Sequence, residues 1–181
     1  REAITILTVL LISQLLFTVT IQSEKITVKI NNSQKIIVDI NGTGEYTTIQ
    51  DALDNSEDNQ IIYVKKGTYS EILNIRKTIK IVGEENTEIN PISERNKYAI
   101  RLGAPNIYIE NLTVTNGAPG LYTTAIRISS PNSTIKNCEF SDCPIGILVW
   151  TSNNKIENCT FTNCQDEGIA LLGSKFSKCE N

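Results

Sequence analysis

Five cysteines, one tryptophan and no histidine bound the chemistry open to these 181 residues. Without histidine there is no Ser-His-Asp or Cys-His nucleophile, no imidazole acid or base and no His-bearing zinc site. Methionine is absent too, which removes the ordinary thioether copper sites. Four cysteines form two C-x4-C pairs, Cys138/Cys143 and Cys159/Cys164, set 21 residues apart, and Cys179 is left over. Four thiolates could by type hold zinc. The residues between them, however, return in the same phase, which a packing ladder requires and a metal site does not. The cysteines are therefore read as small buried hydrophobes stacked in ladders. A disulfide within or between repeats is the alternative, and the odd count leaves at least one thiol over. No metal site and no cofactor are expected.

The spacing of 21 belongs to an internal repeat. Thr134-Ile135-Lys136-Asn137-Cys138-Glu139-Phe140-Ser141-Asp142-Cys143 returns as Lys155-Ile156-Glu157-Asn158-Cys159-Thr160-Phe161-Thr162-Asn163-Cys164. A weaker copy, Ile109-Glu110-Asn111-Leu112-Thr113-Val114, lies 26 residues upstream, and Phe176-Ser177-Lys178-Cys179 restarts the phase. After each copy comes a short apolar run: Ala125-Ile126-Arg127-Ile128, Gly146-Ile147-Leu148-Val149, Gly168-Ile169-Ala170-Leu171. The chain holds 28 Ile and 19 Asn, one a strand former and the other a bend former. A period of 20–26 residues made of strands and bends predicts an all-β fold, a parallel β-helix in which each turn stacks on the last. Thr47-Thr48-Ile49-Gln50-Asp51-Ala52-Leu53 breaks the pattern. Its Thr47-x-x-Gln50 capping box and apolar residues at 49, 52 and 53 predict a short helix over 47–54 that plugs the N-terminal end of the solenoid.

Residues 4–21 carry no charge and follow a lone Arg1, the pattern of an export signal or, being 18 long, of a membrane anchor. The chain is thus divided into residues 1–22, an address, and 23–181, the solenoid. Localisation is expected to be secreted or cell-surface, with the membrane met only through the N-terminal segment. Lacking a first Met and stopping inside a repeat, the chain is expected to be part of a longer protein. Seventeen basic against 20 acidic residues give a net charge of −3 without a basic block, so no nucleic-acid partner is expected.

Two stretches carry a resemblance. Asp39-Ile40-Asn41-Gly42-Thr43-Gly44-Glu45-Tyr46-Thr47-Thr48-Ile49-Gln50-Asp51-Ala52-Leu53, continued by Ile62-Tyr63-Val64-Lys65-Lys66-Gly67-Thr68-Tyr69 and Ile79-Lys80-Ile81-Val82-Gly83, resembles the opening of right-handed parallel β-helix proteins of the pectin-lyase-like superfamily. That opening is shared by pectin methylesterases and by secreted or cell-surface β-helix proteins of archaea and bacteria. The resemblance implies a right-handed solenoid and, among the family's activities, action on or binding of polysaccharide. Its catalytic pattern is not kept. The esterases' two oxyanion-stabilising glutamines fall at Tyr122 and Pro144, their acid/base aspartate falls at Ile145, and only their nucleophilic aspartate finds a match, at Asp166. Calcium-dependent lyases of this fold use a carboxylate cluster, for which Asp142, Asp166 and Glu167 are the best set. Solvated loop charges explain those three more simply.

Period-two alternation supplies the candidate binding face. With Ile126/Ile128, Ile147/Val149 and Ile169/Leu171 inward, Arg127, Leu148 and Ala170 turn outward, as do Ser129, Trp150 and Leu172. Arg101 then stacks outside Arg127. An exposed indole stacks on a sugar ring and arginine pairs with uronate or sulfate, so Trp150, Arg127 and Arg101 are the candidate carbohydrate-binding residues. An apolar patch against a neighbouring domain is the plainer reading. Asn111, Asn137 and Asn158 share one corner phase and are read as an asparagine ladder, beside Cys138/Cys159 and Phe140/Phe161. The sequons at Asn31, Asn41 and Asn132 lie in expected loops and are the glycosylation candidates. The function so read is an exported module with a structural, adhesive or carbohydrate-binding role, the expected partner being a polysaccharide or cell-surface glycan. The alternative is a piece of a polysaccharide-active enzyme whose catalytic turns lie past residue 181.

Overall fold

The abundance of asparagine has a backbone cause. The computed structural model describes residues 17–22, 25–30, 35–91, 98–115, 124–173 and 177–180. Ten non-glycine residues among them have left-handed φ, and nine of the ten are Asn, the tenth being Asp142. Short polar side chains tolerate this conformation, which costs other L-residues roughly 1–2 kcal/mol. They fall into columns. Asn59, Asn106, Asn132 and Asn153 precede strands of the first sheet, Asn86, Asn111, Asn137 and Asn158 follow them, and Asp142 and Asn163 follow strands of the second.

Between these corners run short parallel strands in three sheets. The first stacks Lys35–Val38, Ile61–Val64, Lys80–Gly83, Tyr108–Glu110, Thr134–Lys136, Lys155–Glu157 and Lys178–Glu180. The second stacks Gly67–Tyr69, Thr87–Ile89, Thr113–Thr115, Glu139–Ser141 and Thr160–Thr162. The third stacks Leu73–Ile75, Tyr98–Leu102, Thr124–Ile128, Ile145–Val149 and Glu167–Leu171. The chain visits the sheets in rotation, which makes a parallel β-helix. Register places like over like: Ile36, Ile62, Ile81, Ile109, Ile135 and Ile156 are successive Cα partners, and Cys179 ends the column. All six isoleucines are buried. Burying each removes about 1.5–3 kcal/mol of apolar exposure, so the repeated inward column is the main store of stability.

In the first turn the helix Ile49–Asn55 takes the place of the second and third strands. It packs Ile49, Ala52 and Leu53 onto Lys35–Val38, Ile61–Val64 and Leu73–Ile75. Its cap differs from the expected one. Thr48, not Thr47, is the N-cap, with its hydroxyl accepting from Asp51 N–H at 3.2 Å. Gln50 is occupied elsewhere, accepting from Asn74 N–H of the next turn at 2.9 Å. The Glu71 carboxylate takes the first two helical N–H groups, those of Ile49 and Gln50, at 2.9 Å each.

Alternation also breaks at the start of the third-sheet strands, where Ala99-Ile100, Ala125-Ile126 and Gly146-Ile147 are buried pairwise. The small first member makes room for the second sheet. A Cβ on Gly146 would stand 2.5 Å from both Phe161 Cδ1 and Gly168 O.

Residues 1–34 form a separate contact unit from 35–181. Within the first unit Phe17–Gln22 and Lys25–Ile30 pair antiparallel, with Phe17 opposite Ile30. Most of the apolar segment and Asn31 lie outside the described residues. Among the described residues no helix is long and apolar enough to cross a membrane.

Candidate functional site

The outer face of the third sheet is built by register. Arg101 and Arg127 are Cα partners, Arg127 pairs with Leu148 and Leu148 with Ala170. Backbone bonds extend the ladder past the strand ends: Ser129 N–H to Leu102 O at 2.9 Å, Trp150 N–H to Ile128 O at 3.0 Å, Leu172 N–H to Val149 O at 2.8 Å. Trp150 therefore sits one column beyond Arg127 and one turn on. The Arg127 guanidinium carbon lies 5.1 Å from the centroid of the Trp150 ring, a cation–π contact. The indole stays 46% exposed. Arg127 Nε is shut off from solvent with no hydrogen-bond partner among the described residues, and Ser129 Oγ likewise. No described carboxylate forms an ion pair with Arg101 or Arg127. Two arginines on adjacent turns, neither ion-paired among the described residues, next to a half-exposed indole, can meet a planar sugar face and an acidic substituent together.

On the last turn exposure departs from the columns: Ala170 is buried and Leu171 is 51% exposed, although register keeps Leu171 in the inward column of Val149 and Ala170 in that of Leu148. Glu167–Leu171 is the outermost described strand of its sheet, so no further described strand covers Leu171, while Ala170 is small enough to be covered by its neighbours. Exposed Leu172, in the column of Trp150, makes the outer face more apolar toward this end.

The stacked columns are placed as follows. Asn111, Asn137 and Asn158 are exposed and left-handed at φ 57°, 51° and 49°. Asn158 Nδ2 donates to Asn137 Oδ1 at 3.4 Å, and Asn137 Nδ2 to Glu110 Oε1 at 3.2 Å. Phe140 and Phe161 stack with centroids 5.1 Å apart and planes 15° from parallel. None of the five cysteines is in a disulfide. The Cys138 thiol, in contact with Cys159 and buried, is raised well above the usual value, and the same contact lowers Cys159.

The esterase-like positions bring no machinery together. Ile145 opens a third-sheet strand, Pro144 O accepts from Asp166 N–H at 2.9 Å, and Tyr122 lies outside the described residues. Asp142, Asp166 and Glu167 are exposed, and Asp142 Oδ1 accepts from Asn163 Nδ2 at 3.1 Å. Among the described residues no group of three His, Cys, Asp or Glu side chains is placed to hold a metal ion. Asn41 and Asn132 are exposed.

One face escaped the sequence reading. On the first sheet Lys35 and Lys65 lie over the Tyr63 ring at 4.2 and 5.5 Å, and Lys80 over Tyr108 at 4.3 Å. Burial, then the bond to Glu110, pushes the Tyr108 hydroxyl up to about 12. The Tyr63/Lys65 spacing of two was the available signal. Here the lysines are matched by carboxylates, Lys65–Glu84 at 3.7 Å, Lys80–Glu110 at 3.8 Å and Lys155–Glu157 at 2.6 Å, unlike the arginines of the third sheet.

A parallel solenoid of stacked isoleucine turns with asparagine corners is the class these features define. Residues 19–181 match the family described as a right handed beta helix region, and the chain belongs to that family. It is similar to a cell surface glycoprotein of Methanothermus fervidus, 29% identical over 108 residues that make up 58% of this chain and 18% of that protein. The chain thus spans under a fifth of the length of this curated relative. Among solved structures it is similar to the pectin methylesterase PemA of Erwinia chrysanthemi, with a TM-score of 0.55 and 16% identity over 72% of this chain and 55% of that one. A pectin methylesterase solved in complex with a hexasaccharide gives 0.55 and 15% over 71% and 55%, and that of Aspergillus niger gives 0.53 and 19% over 81% and 74%. At such identities the structural likeness carries the fold alone.

Proposed function

We propose that the chain is a β-helix module of a cell-surface or secreted protein whose third-sheet outer face binds an acidic glycan. Trp150 stacks on a sugar ring, while Arg127 and Arg101 pair with its carboxylate or sulfate groups. The observation that carries this reading is the Arg127 guanidinium resting on a half-exposed Trp150, with no ion-paired carboxylate among the described residues. Likeness to a cell surface glycoprotein supports the location. Residues 1–22 would serve export or anchoring, and Asn41 and Asn132 would accept glycans. A binding role is favoured over catalysis because Pro144 and Ile145 supply neither an oxyanion donor side chain nor a carboxylate at the esterase-like positions.

Binding to a panel of uronate, sulfated and neutral polysaccharides tests it. Trp150→Ala should weaken binding of the acidic ligand several-fold, in line with the ~0.5–1.5 kcal/mol of an aromatic stack. Arg127→Ala should flatten the salt dependence of binding, since it removes a charge contact. Equal affinity of wild type and both variants, or a preference for neutral chains, would overturn the assignment.

A further inference from the structure

Backbone hydrogen bonds pin the second corner of one turn to that of the next. Asp142 N–H donates to Thr162 O at 3.2 Å and Gln165 N–H to Cys143 O at 3.1 Å. Asp142 and Asn163 turn the chain alike on both levels, at φ 54° and 53°. Cys143 and Cys164, the next residues, therefore stack in register, and their Sγ atoms stand 3.6 Å apart. Parallel backbones about 4.8 Å apart lie within the Cα separations of about 4.4–6.8 Å that disulfides span. Side-chain rotation alone can bring these sulfurs to bonding distance. Cys138 and Cys159 also meet across adjacent turns, but both thiols are turned to backbone acceptors: Cys138 Sγ donates to Lys136 O at 3.2 Å, and Cys159 Sγ reaches Glu157 O at 3.3 Å and Ile135 O at 3.8 Å. Cys179 is paired in register with Ile156 and has no cysteine across from it.

We infer that Cys143 and Cys164 are a disulfide site that cross-links adjacent turns by exchange with a low-molecular-weight disulfide, leaving the other three thiols reduced. Cys164 is half-buried and Cys143 fully buried, so the external disulfide meets Cys164 first. The Cys164 thiolate attacks one sulfur of that disulfide, breaks its S–S bond and releases one small thiolate. Cys143 then gives its proton to water and its sulfur attacks Cys164 Sγ, forming the protein S–S bond and expelling the second small thiolate. Two cysteine thiols are oxidised and one small disulfide is reduced to two thiols, so electrons and protons balance. Burial, then the bond to Cys164, pushes the Cys143 thiol up to about 12. The second step accordingly runs faster as pH rises. This site is independent of the glycan face.

The test incubates the full chain, freed of reductant, with oxidised glutathione, then alkylates remaining thiols. The expected product weighs two hydrogen atoms less than the reduced chain before alkylation and takes up three alkyl groups. Cleavage after Lys136 and Lys155 and before Asp142 and Asp166 puts Cys143 on a different peptide from Cys138. The linked pair should be 142–155 with 156–165, and fragmentation should place the bond at Cys164. Cys164→Ser should abolish the link, whereas Cys138→Ser and Cys179→Ser should keep it. The oxidised chain should melt several degrees higher, and dithiothreitol should reverse the gain. The lifetime of any glutathione adduct on Cys164 should shorten with rising pH. Five alkylatable thiols, a lasting glutathione adduct on Cys164, or a bond through Cys138, Cys159 or Cys179 would overturn the inference.

Discussion

The helix Ile49–Asn55 has seven residues, too few to hold itself in water, where isolated helices under about 12–15 residues are marginal. Two charged side chains of later residues grip its ends. Glu71 accepts from Ile49 N–H and Gln50 N–H at 2.9 Å each. Lys77 Nζ donates to the carbonyls of Leu53, Asp54 and Ser56 at 3.1, 2.9 and 2.6 Å. An anion at the N-terminus and a cation at the C-terminus each complement the helix dipole. Glu71→Ala deletes two hydrogen bonds to a charged group, worth about 1.5–3 kcal/mol each. Water re-solvates part of the half-buried cap, so the expected loss is ~2–4 kcal/mol rather than the full sum. Glu71→Gln keeps one acceptor and should lose ~1–2 kcal/mol. Lys77→Met keeps the stem length and should fall in the same range as Glu71→Ala. Because either loss frays the same short helix, the double variant should lose less than the two singles added. Urea titrations of the four variants and wild type measure this, and hydrogen exchange at Ala52 and Leu53 shows whether the helix opens locally. Glu71→Ala within about 0.5 kcal/mol of wild type, or strict additivity with Lys77→Met, would refute the two-ended clamp.

Three shorter predictions rest on other columns. Gly146→Ala drives a methyl group into Phe161 and the Gly168 carbonyl, and should cost about 1–3 kcal/mol by denaturant titration; in the Phe161→Val background, where only the carbonyl clash remains, the same substitution should cost less. Asn137→Ala places alanine at φ 51° and should cost about 1–2 kcal/mol, whereas Asn137→Gly should sit near wild type; equal losses from both would show that the side-chain bonds, not the backbone, decide. The Thr43 hydroxyl and then Asn41 N–H bond to Asp39, holding its carboxyl below the usual carboxylate range. A group lowered on folding contributes stability above its unfolded value of about 4 and loses it as pH falls through the folded value. Unfolding midpoints followed downward from neutral pH should therefore fall less steeply for Asp39→Asn than for wild type in that acid window.

Local sequence carried the solenoid because parallel stacking turns a repeat in sequence into a ladder in space. Ile135 over Ile156 and Phe140 over Phe161 follow from a 21-residue period alone. The helix was legible from the spacing of Ile49, Ala52 and Leu53. Its cap was not, because Glu71, 22 residues beyond Ile49, supplies the acceptors that local capping rules seek within four residues. Alternation placed Arg127 and Trp150 in neighbouring columns but gave no sign that the two side chains touch, since their contact crosses from one turn to the next. Exposure departs from the columns at Ala170 and Leu171 because burial presumes neighbours on both sides of the strand. The Tyr63 and Tyr108 face was missed because its lysines and carboxylates are brought together from residues 19 and 30 positions apart, so along the sequence they look like an ordinary solvated surface.

The third sheet separates what packing requires from what it leaves open. Its inward column reads Ile100, Ile126, Ile147, Ile169, the same residue on four successive turns, because each side chain must fill the same space above the last. The outward column one residue along reads Arg101, Arg127, Leu148, Ala170. Both columns share backbone geometry and register, so neither strand propensity nor hydrogen bonding accounts for the difference. Like charges directly across a ladder are mildly destabilising. The Arg101–Arg127 pair therefore runs against the fold's own preference, and no described carboxylate relieves it. A residue pair that the packing neither requires nor favours, seated beside the chain's one tryptophan, is where the proposed glycan contact is to be tested.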